Sequence, residues 1–269
     1  MTVIVDGLGF PESLRWHDGA LWYADWAAGA VYRLGADLVP RAVAQRTSFP
    51  LCFDLLPGSQ PILVSNPDQA VLLPDGSRQA DLPATEHPWN EIVVAADGSA
   101  YVNNIGFEFG SGADPAAAGA VGYVVLVRAD GSVAAAANGL AFPNGMALID
   151  GGATLLVAES HGQCLTAFTI ATGGGLTDRR IWAATPGLHP DGIDVQDDGT
   201  VWLADVGTHC CVRVAEGGAQ LDRIDVPRGA FDCVVGDLGA GPTLFVGVNE
   251  FGGDPAAGPR GQILAVPLS

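Results

Sequence analysis

Basic residues are scarce. The chain of 269 residues has 12 Lys plus Arg against 30 Asp plus Glu, a formal net charge of −18. So acidic a chain is repelled by phosphate backbones and anionic lipid, which argues against nucleic acid and membranes as partners. The acidity serves solubility, or it builds a negative field that draws in metal cations. No uncharged apolar run reaches membrane-spanning length, and the first residues, Met1 to Gly7, lack the basic and apolar regions of a signal peptide. The five cysteines have no CxxC spacing, which argues against a zinc finger or a redox pair. Most lie in apolar runs and are expected as buried free thiols in a reducing cytoplasm. No GxSxG elbow is present, which disfavours a serine hydrolase, and no long segment keeps a helical period.

What the chain has in quantity is glycine (37), proline (18) and apolar residues (48%), a composition for short strands, many turns and a sizeable core. Six segments align: "FPESLRWHDGALWYAD", "FPLCFDLLPGSQPILVSN", "HPWNEIVVAADGSAYVNN", "FPNGMALIDGGATLLVAES", "HPDGIDVQDDGTVWLADV" and "AFDCVVGDLGAGPTLFVGV". Each opens on an aromatic residue, His or a small apolar residue and soon reaches a polar position. An apolar strand, a turn and a second apolar strand follow. Further strand-like runs such as "GAVYRL" and "CLTAFTI" lie between the segments. The spacing of roughly 40 to 55 residues and about four strands per unit are the pattern of propeller blades. The expected fold is therefore all-β, a single six-bladed β-propeller domain over residues 1–269. The last unit is one strand short, and the N-terminal "TVIVDG" is the spare strand that closes the ring. Two long loops of small residues, 106–122 and 249–261, fall between the second and third strands of the third and sixth units, where a binding mouth can be built.

The polar position at the head of each unit reads Glu12, Cys52, Asn90, Asn144, Asp191 and Asp232. In a propeller these heads converge at one channel mouth. Pro-Asn-Gly and Pro-Asp-Gly are turn signals by themselves. Equivalent placement of Glu12, Asn90, Asn144 and Asp191 nevertheless brings two carboxylates and two amide oxygens together. Such a hard-oxygen set suits Ca²⁺, Mg²⁺ or Mn²⁺, with Zn²⁺ and Fe²⁺ also open. His87 and His189 precede Pro at equivalent places, as proton carriers at the mouth or as packed strand-start residues.

Through "FPES", "WNE", "FPNGMAL" and "HPDGIDVQDDGTVWLAD" the chain resembles the regucalcin/gluconolactonase family of six-bladed propellers, with diisopropyl fluorophosphatase and paraoxonase as more distant relatives. The resemblance implies one divalent cation, calcium foremost, and hydrolysis of lactones. By it, Glu12, Asn144 and Asp191 are metal ligands and Asn90 helps to hold metal or substrate. Asp191 is also the general base. Lactonases of this type often carry Arg-x-Asn-Asp at the third unit. Here Pro88-Trp89-Asn90-Glu91 stands instead, so Trp89 is expected as an apolar surface and the substrate as a more apolar lactone or ester. A phosphotriesterase-like or general esterase activity on the same site is the near alternative. A non-catalytic propeller stapled by its cation, binding a small molecule, is the alternative of another class.

Overall fold

The structure is a computed structural model that describes residues 1–108, 119–250 and 259–268. Six four-stranded antiparallel sheets form in chain order around a ring, as the repeat predicts. Their inner strands are Pro11–His17 (blade 1), Phe53–Leu56 (blade 2), Trp89–Val94 (blade 3), Pro143–Ile149 (blade 4), Pro190–Val195 (blade 5) and Gly229–Gly236 (blade 6). Blade 6 is completed by the N-terminal strand Thr2–Leu8, which pairs with Gly261–Pro267 through Val3 opposite Leu264 and Val5 opposite Ile263. Joining the two ends of the chain in one sheet closes the ring and leaves no seam between first and last blades. The one helical element among the described residues is a 3-10 turn at Asp150–Gly152.

Alternation along the strands turns apolar side chains into the spaces between neighbouring blades. Leu156, Leu165 and Trp182 of blade 4 meet Ile193, Leu203 and Val212 of blade 5. Each such side chain, once buried, contributes about 1.5–3 kcal/mol. All five cysteines are free and buried, as expected. The two long loops lie between second and third strands, flanked by Ala100–Asn104 and Gly122–Val127 in blade 3 and by Thr243–Asn249 and Gly261–Pro267 in blade 6. Their residues 109–118 and 251–258 lie outside the described residues.

Pro143-Asn144-Gly145 and Pro190-Asp191-Gly192 are not reverse turns: both lie within inner strands, at places where the pairing register jumps. Their glycines are needed for room. A Cβ on Gly145 would stand 2.5 Å from the Asp191 carbonyl oxygen, and one on Gly192 would stand 1.9 Å from Asp232 Oδ1. Bulges and missing side chains together let neighbouring strands crowd the axis.

Candidate active site

Every inner strand enters from the same end of the ring, so the strand heads surround one mouth. Glu12 and Asp191 are buried there, while Asn90 and Asn144 are half-buried. Asn90 Nδ2 donates to Asn144 Oδ1 at 3.1 Å, and the Asn144 side chain in turn hydrogen-bonds the Asp191 carboxylate. Glu12 lies close enough to Asp191 for the two charges to repel. The four residues singled out in the sequence are thus brought together from blades 1, 3, 4 and 5.

Burial, followed by the charges of Asp191, Asp232 and Glu91, pushes the Glu12 carboxyl well above the usual range. Burial pushes Asp191 in the same direction, with Asp232, Glu91 and Asp205 adding to it and the Asn144 hydrogen bond opposing. Neither Glu12 nor Asp191 has an ion pair among the described residues. The channel's arginine, Arg15, is instead committed elsewhere: Nη2 to Glu91 at 2.8 Å, Nε to Asp54 at 3.6 Å and Nη1 to Asp232 at 3.6 Å. Two buried carboxylates whose charges repel, with no ion-pair partner among the described residues, favour taking up a proton or a cation. No group of three or more His, Cys, Asp or Glu side chains among the described residues is placed to hold a metal. A cation here would therefore be completed by amide oxygens, a donor set that fits a hard divalent ion. Asn103 adds to it. Its Nδ2 holds the Asn144 carbonyl at 2.7 Å, and its Oδ1 is buried without a hydrogen-bond partner.

The remaining expected residues divide. His189 is exposed beside the cluster, with Nδ1 2.9 Å from the Ser160 carbonyl oxygen. A carbonyl only accepts, so Nδ1 donates here and Nε2 takes no part in that bond. Ser160 links the same parts, with its Oγ donating to the Pro190 carbonyl at 2.7 Å and accepting from Asn144 Nδ2 at 3.3 Å. His87 is half-buried, its Nδ1 is buried without a partner, and its carbonyl accepts from Asn104 Nδ2 at 2.8 Å. No hydrogen bond joins its ring to the four clustered side chains. Trp89 departs from the expectation of a mouth surface. It is fully buried, packed edge-on against Tyr123, with its indole N–H on Gln69 Oε1. The pairing register jumps between Trp89 and Glu91, and at this bulge Trp89 enters the core between blades 2 and 3 while Asn90 joins the cluster.

Sequence reasoning missed the supports of the site. Glu91 and Asp232 hold Arg15, and Asp232 Oδ2 also accepts from Leu14 N at 2.5 Å. At the ends of the second strands a polar residue staples the chain entering an inner strand. Asp25 binds the amides of Gly9 and Phe10, Asn66 that of Trp89, Glu159 that of Ala141, and Asp205 that of His189. The signal was present as a repeated polar ending, "YAD", "VSN", "AES" and "LAD", in the aligned segments.

Over 144 residues the chain is 29% identical to the pentonolactonase of Haloferax volcanii, a match covering 51% of this chain and 48% of that protein, about half its length. Its structure is similar to that of a gluconolactonase from Xanthomonas campestris (TM-score 0.74, 23% identity, 98% of this chain and 89% of that one). It is also similar to that of regucalcin, a calcium-binding protein from Agrobacterium tumefaciens (TM-score 0.77, 16% identity, 98% and 92%). At these identities the structural likeness is one of fold. Residues 10–246 match the SMP-30/Gluconolactonase/LRE-like region, and the chain belongs to that family.

Proposed function

We propose that the protein hydrolyses lactones at this mouth, using a divalent cation held by Glu12, Asn144 and Asp191 with Asn90 beside them. The observation that carries the proposal is the buried Glu12–Asp191 pair, joined to two amides and lacking an ion-pair partner among the described residues. Family membership and a pentonolactonase relative support a lactone as the reacting group. The regucalcin likeness supports calcium as the first ion to test, with Zn²⁺, Mn²⁺, Mg²⁺ and Fe²⁺ after it.

When bound, such an ion supplies Lewis-acid polarisation of the ester carbonyl. Asp191 accepts a proton from the attacking water as its oxygen bonds to the carbonyl carbon. The ring C–O bond then breaks, and Asp191 returns the proton to the leaving alkoxide, so the product is a hydroxy acid. Asn144 fixes the Asp191 carboxylate and Asn90 braces Asn144. His189, its Nδ1 anchored on Ser160, keeps Nε2 free to carry the acid product's proton to solvent.

The test is a pH-indicator assay on a panel of lactones, with and without chelator, for the wild type, Asp191→Asn and Glu12→Gln. Chelator-sensitive turnover that falls at least a hundredfold in Asp191→Asn is expected. Undiminished turnover in Asp191→Asn, or turnover indifferent to chelator, would sink the proposal. An absence of turnover on lactones, esters and phosphotriesters with every cation would make the propeller a binding module.

A further inference from the structure

Aromatic rings line the mouth beside the carboxylates and amides. Phe10, two residues before Glu12, stacks on Trp26 with ring centroids 5.0 Å apart and planes at 14°. Phe231, beside Asp232, sets its edge against Phe10 at 4.6 Å. Phe49, at the head of blade 2, stands nearly perpendicular to both members of the stack, at 82° and 5.3 Å from Trp26 and at 72° and 6.2 Å from Phe10. Phe49 is 59% exposed, and Phe10 and Trp26 are half-buried. Across the mouth, Phe142, two residues before Asn144, meets the His161 ring edge-on at 4.8 Å.

An exposed phenylalanine held at right angles to a stacked pair forms a corner with two ring surfaces. Aromatic pairs favour either offset stacking or edge-to-face contact at about 4.5–7 Å. A flat ring seated in the corner makes one contact of each kind at once, whereas an alkyl chain makes neither. Among the described inner strands one arginine, Arg15, stands where it could grip a polyhydroxylated ring. The chain has no lysine, and all 12 basic residues are arginines. Arg15 is held by three carboxylates, and Arg228, which precedes blade 6, is engaged by Glu250 and the Arg260 carbonyl.

We infer that the substrate is a lactone bearing an aryl substituent, whose ring seats in the corner of Phe10, Trp26 and Phe49 while its ester carbonyl lies at Glu12, Asn144 and Asp191. This rests on the lactonase reading for the reacting group. It draws only on the aromatic wall for the substituent. Phe49 is then the specificity-determining residue.

The test uses the whole protein with calcium and three lactones of one ring size: unsubstituted, aryl-substituted and polyhydroxylated. The aryl lactone is expected to exceed the polyhydroxylated one at least tenfold in kcat/KM. Phe49→Ala should lower the aryl-to-unsubstituted ratio about tenfold, the factor carried by one aromatic pair, and Phe49→Trp should restore it. In parallel, calorimetry follows binding of the aryl lactam, which is not hydrolysed, to wild type and Phe49→Ala. About tenfold weaker binding to the variant is expected. A preference for the polyhydroxylated lactone, or a ratio and a lactam affinity untouched by Phe49→Ala, overturns the inference while leaving lactone hydrolysis standing. Phe49-dependent binding of the lactam without turnover of any lactone supports the aryl corner and defeats the hydrolytic reading.

Discussion

Replacing Arg15 by methionine removes the one cation shared by Asp54, Glu91 and Asp232 and keeps most of the side chain's bulk. Burial disfavours the guanidinium's charge, yet Glu91, Asp54 and Asp232 outweigh that and push its pKa up. Breaking a buried pair by deleting one partner costs about 3–5 kcal/mol. For a chain of this length the unfolding entropy near the midpoint is about 0.6 kcal/mol/K, so a loss of about 4 kcal/mol lowers Tm by about 7 °C. The loss should depend on pH. Burial raises the Asp232 carboxyl to about 7, even though Arg15 and two backbone amides oppose it. Its unfolded value is about 3.9, so the folded state takes up a proton as the pH falls through 7 and gains stability on that side. Without Arg15 the carboxyl rises further and takes its proton at higher pH. The deficit is therefore full in alkaline buffer and narrows as the pH is lowered towards 5. Scanning calorimetry of wild type and Arg15→Met from pH 9 to pH 5, with chelator in every sample, measures the gap. A difference under 2 °C at pH 9, or one that stays constant down to pH 5, would refute the picture of a charge-balanced axis.

Three further outcomes follow from the geometry. Calcium at about a hundred times its Kd should raise the wild-type Tm by about 5 °C through mass action, and Glu12→Gln should lose most of that shift in a thermal melt. Gly192→Ala puts a methyl against Asp232 Oδ1 and should cost about 2–3 kcal/mol, read as a lower midpoint in urea; an unchanged midpoint would show that the strands need not crowd the axis. Trp89→Ala should cost about 4 kcal/mol by emptying a buried site, whereas Phe49→Ala should leave Tm within 1 °C, and the reverse order would return Trp89 to the surface.

The ring and the strand heads were legible because both depend on spacing. Six aligned segments put Glu12, Asn90, Asn144 and Asp191 at equivalent places, and a propeller turns equivalence in sequence into proximity in space. Trp89 was misplaced because the pairing register jumps between it and Glu91, so that Asn90 and Glu91 both face the axis while Trp89 packs inside, and nothing in the segment announces that bulge. The carboxylates around Arg15 were hidden for a different reason. Arg15 and Glu91 are 76 positions apart, and nothing local says which of 30 acidic residues will face a lone arginine. The only hint was a charge inside an otherwise apolar strand, "ESLRWH". The aromatic corner was equally silent, since a phenylalanine before proline reads the same whether it packs inside or stands in water.

A propeller is often pictured as a tube, open at both ends. In this one Arg15 reaches from blade 1 to carboxylates on blades 2, 3 and 6, and bars the axis like a crossbeam. Below it lies an open cavity of about 760 Å³ lined by Arg15, Trp16, Met146 and Asp194, which none of Glu12, Asn90, Asn144 and Asp191 borders. The charged crossbeam thus divides the axis into two unlike ends, with the aromatic rings at one and an open cavity at the other.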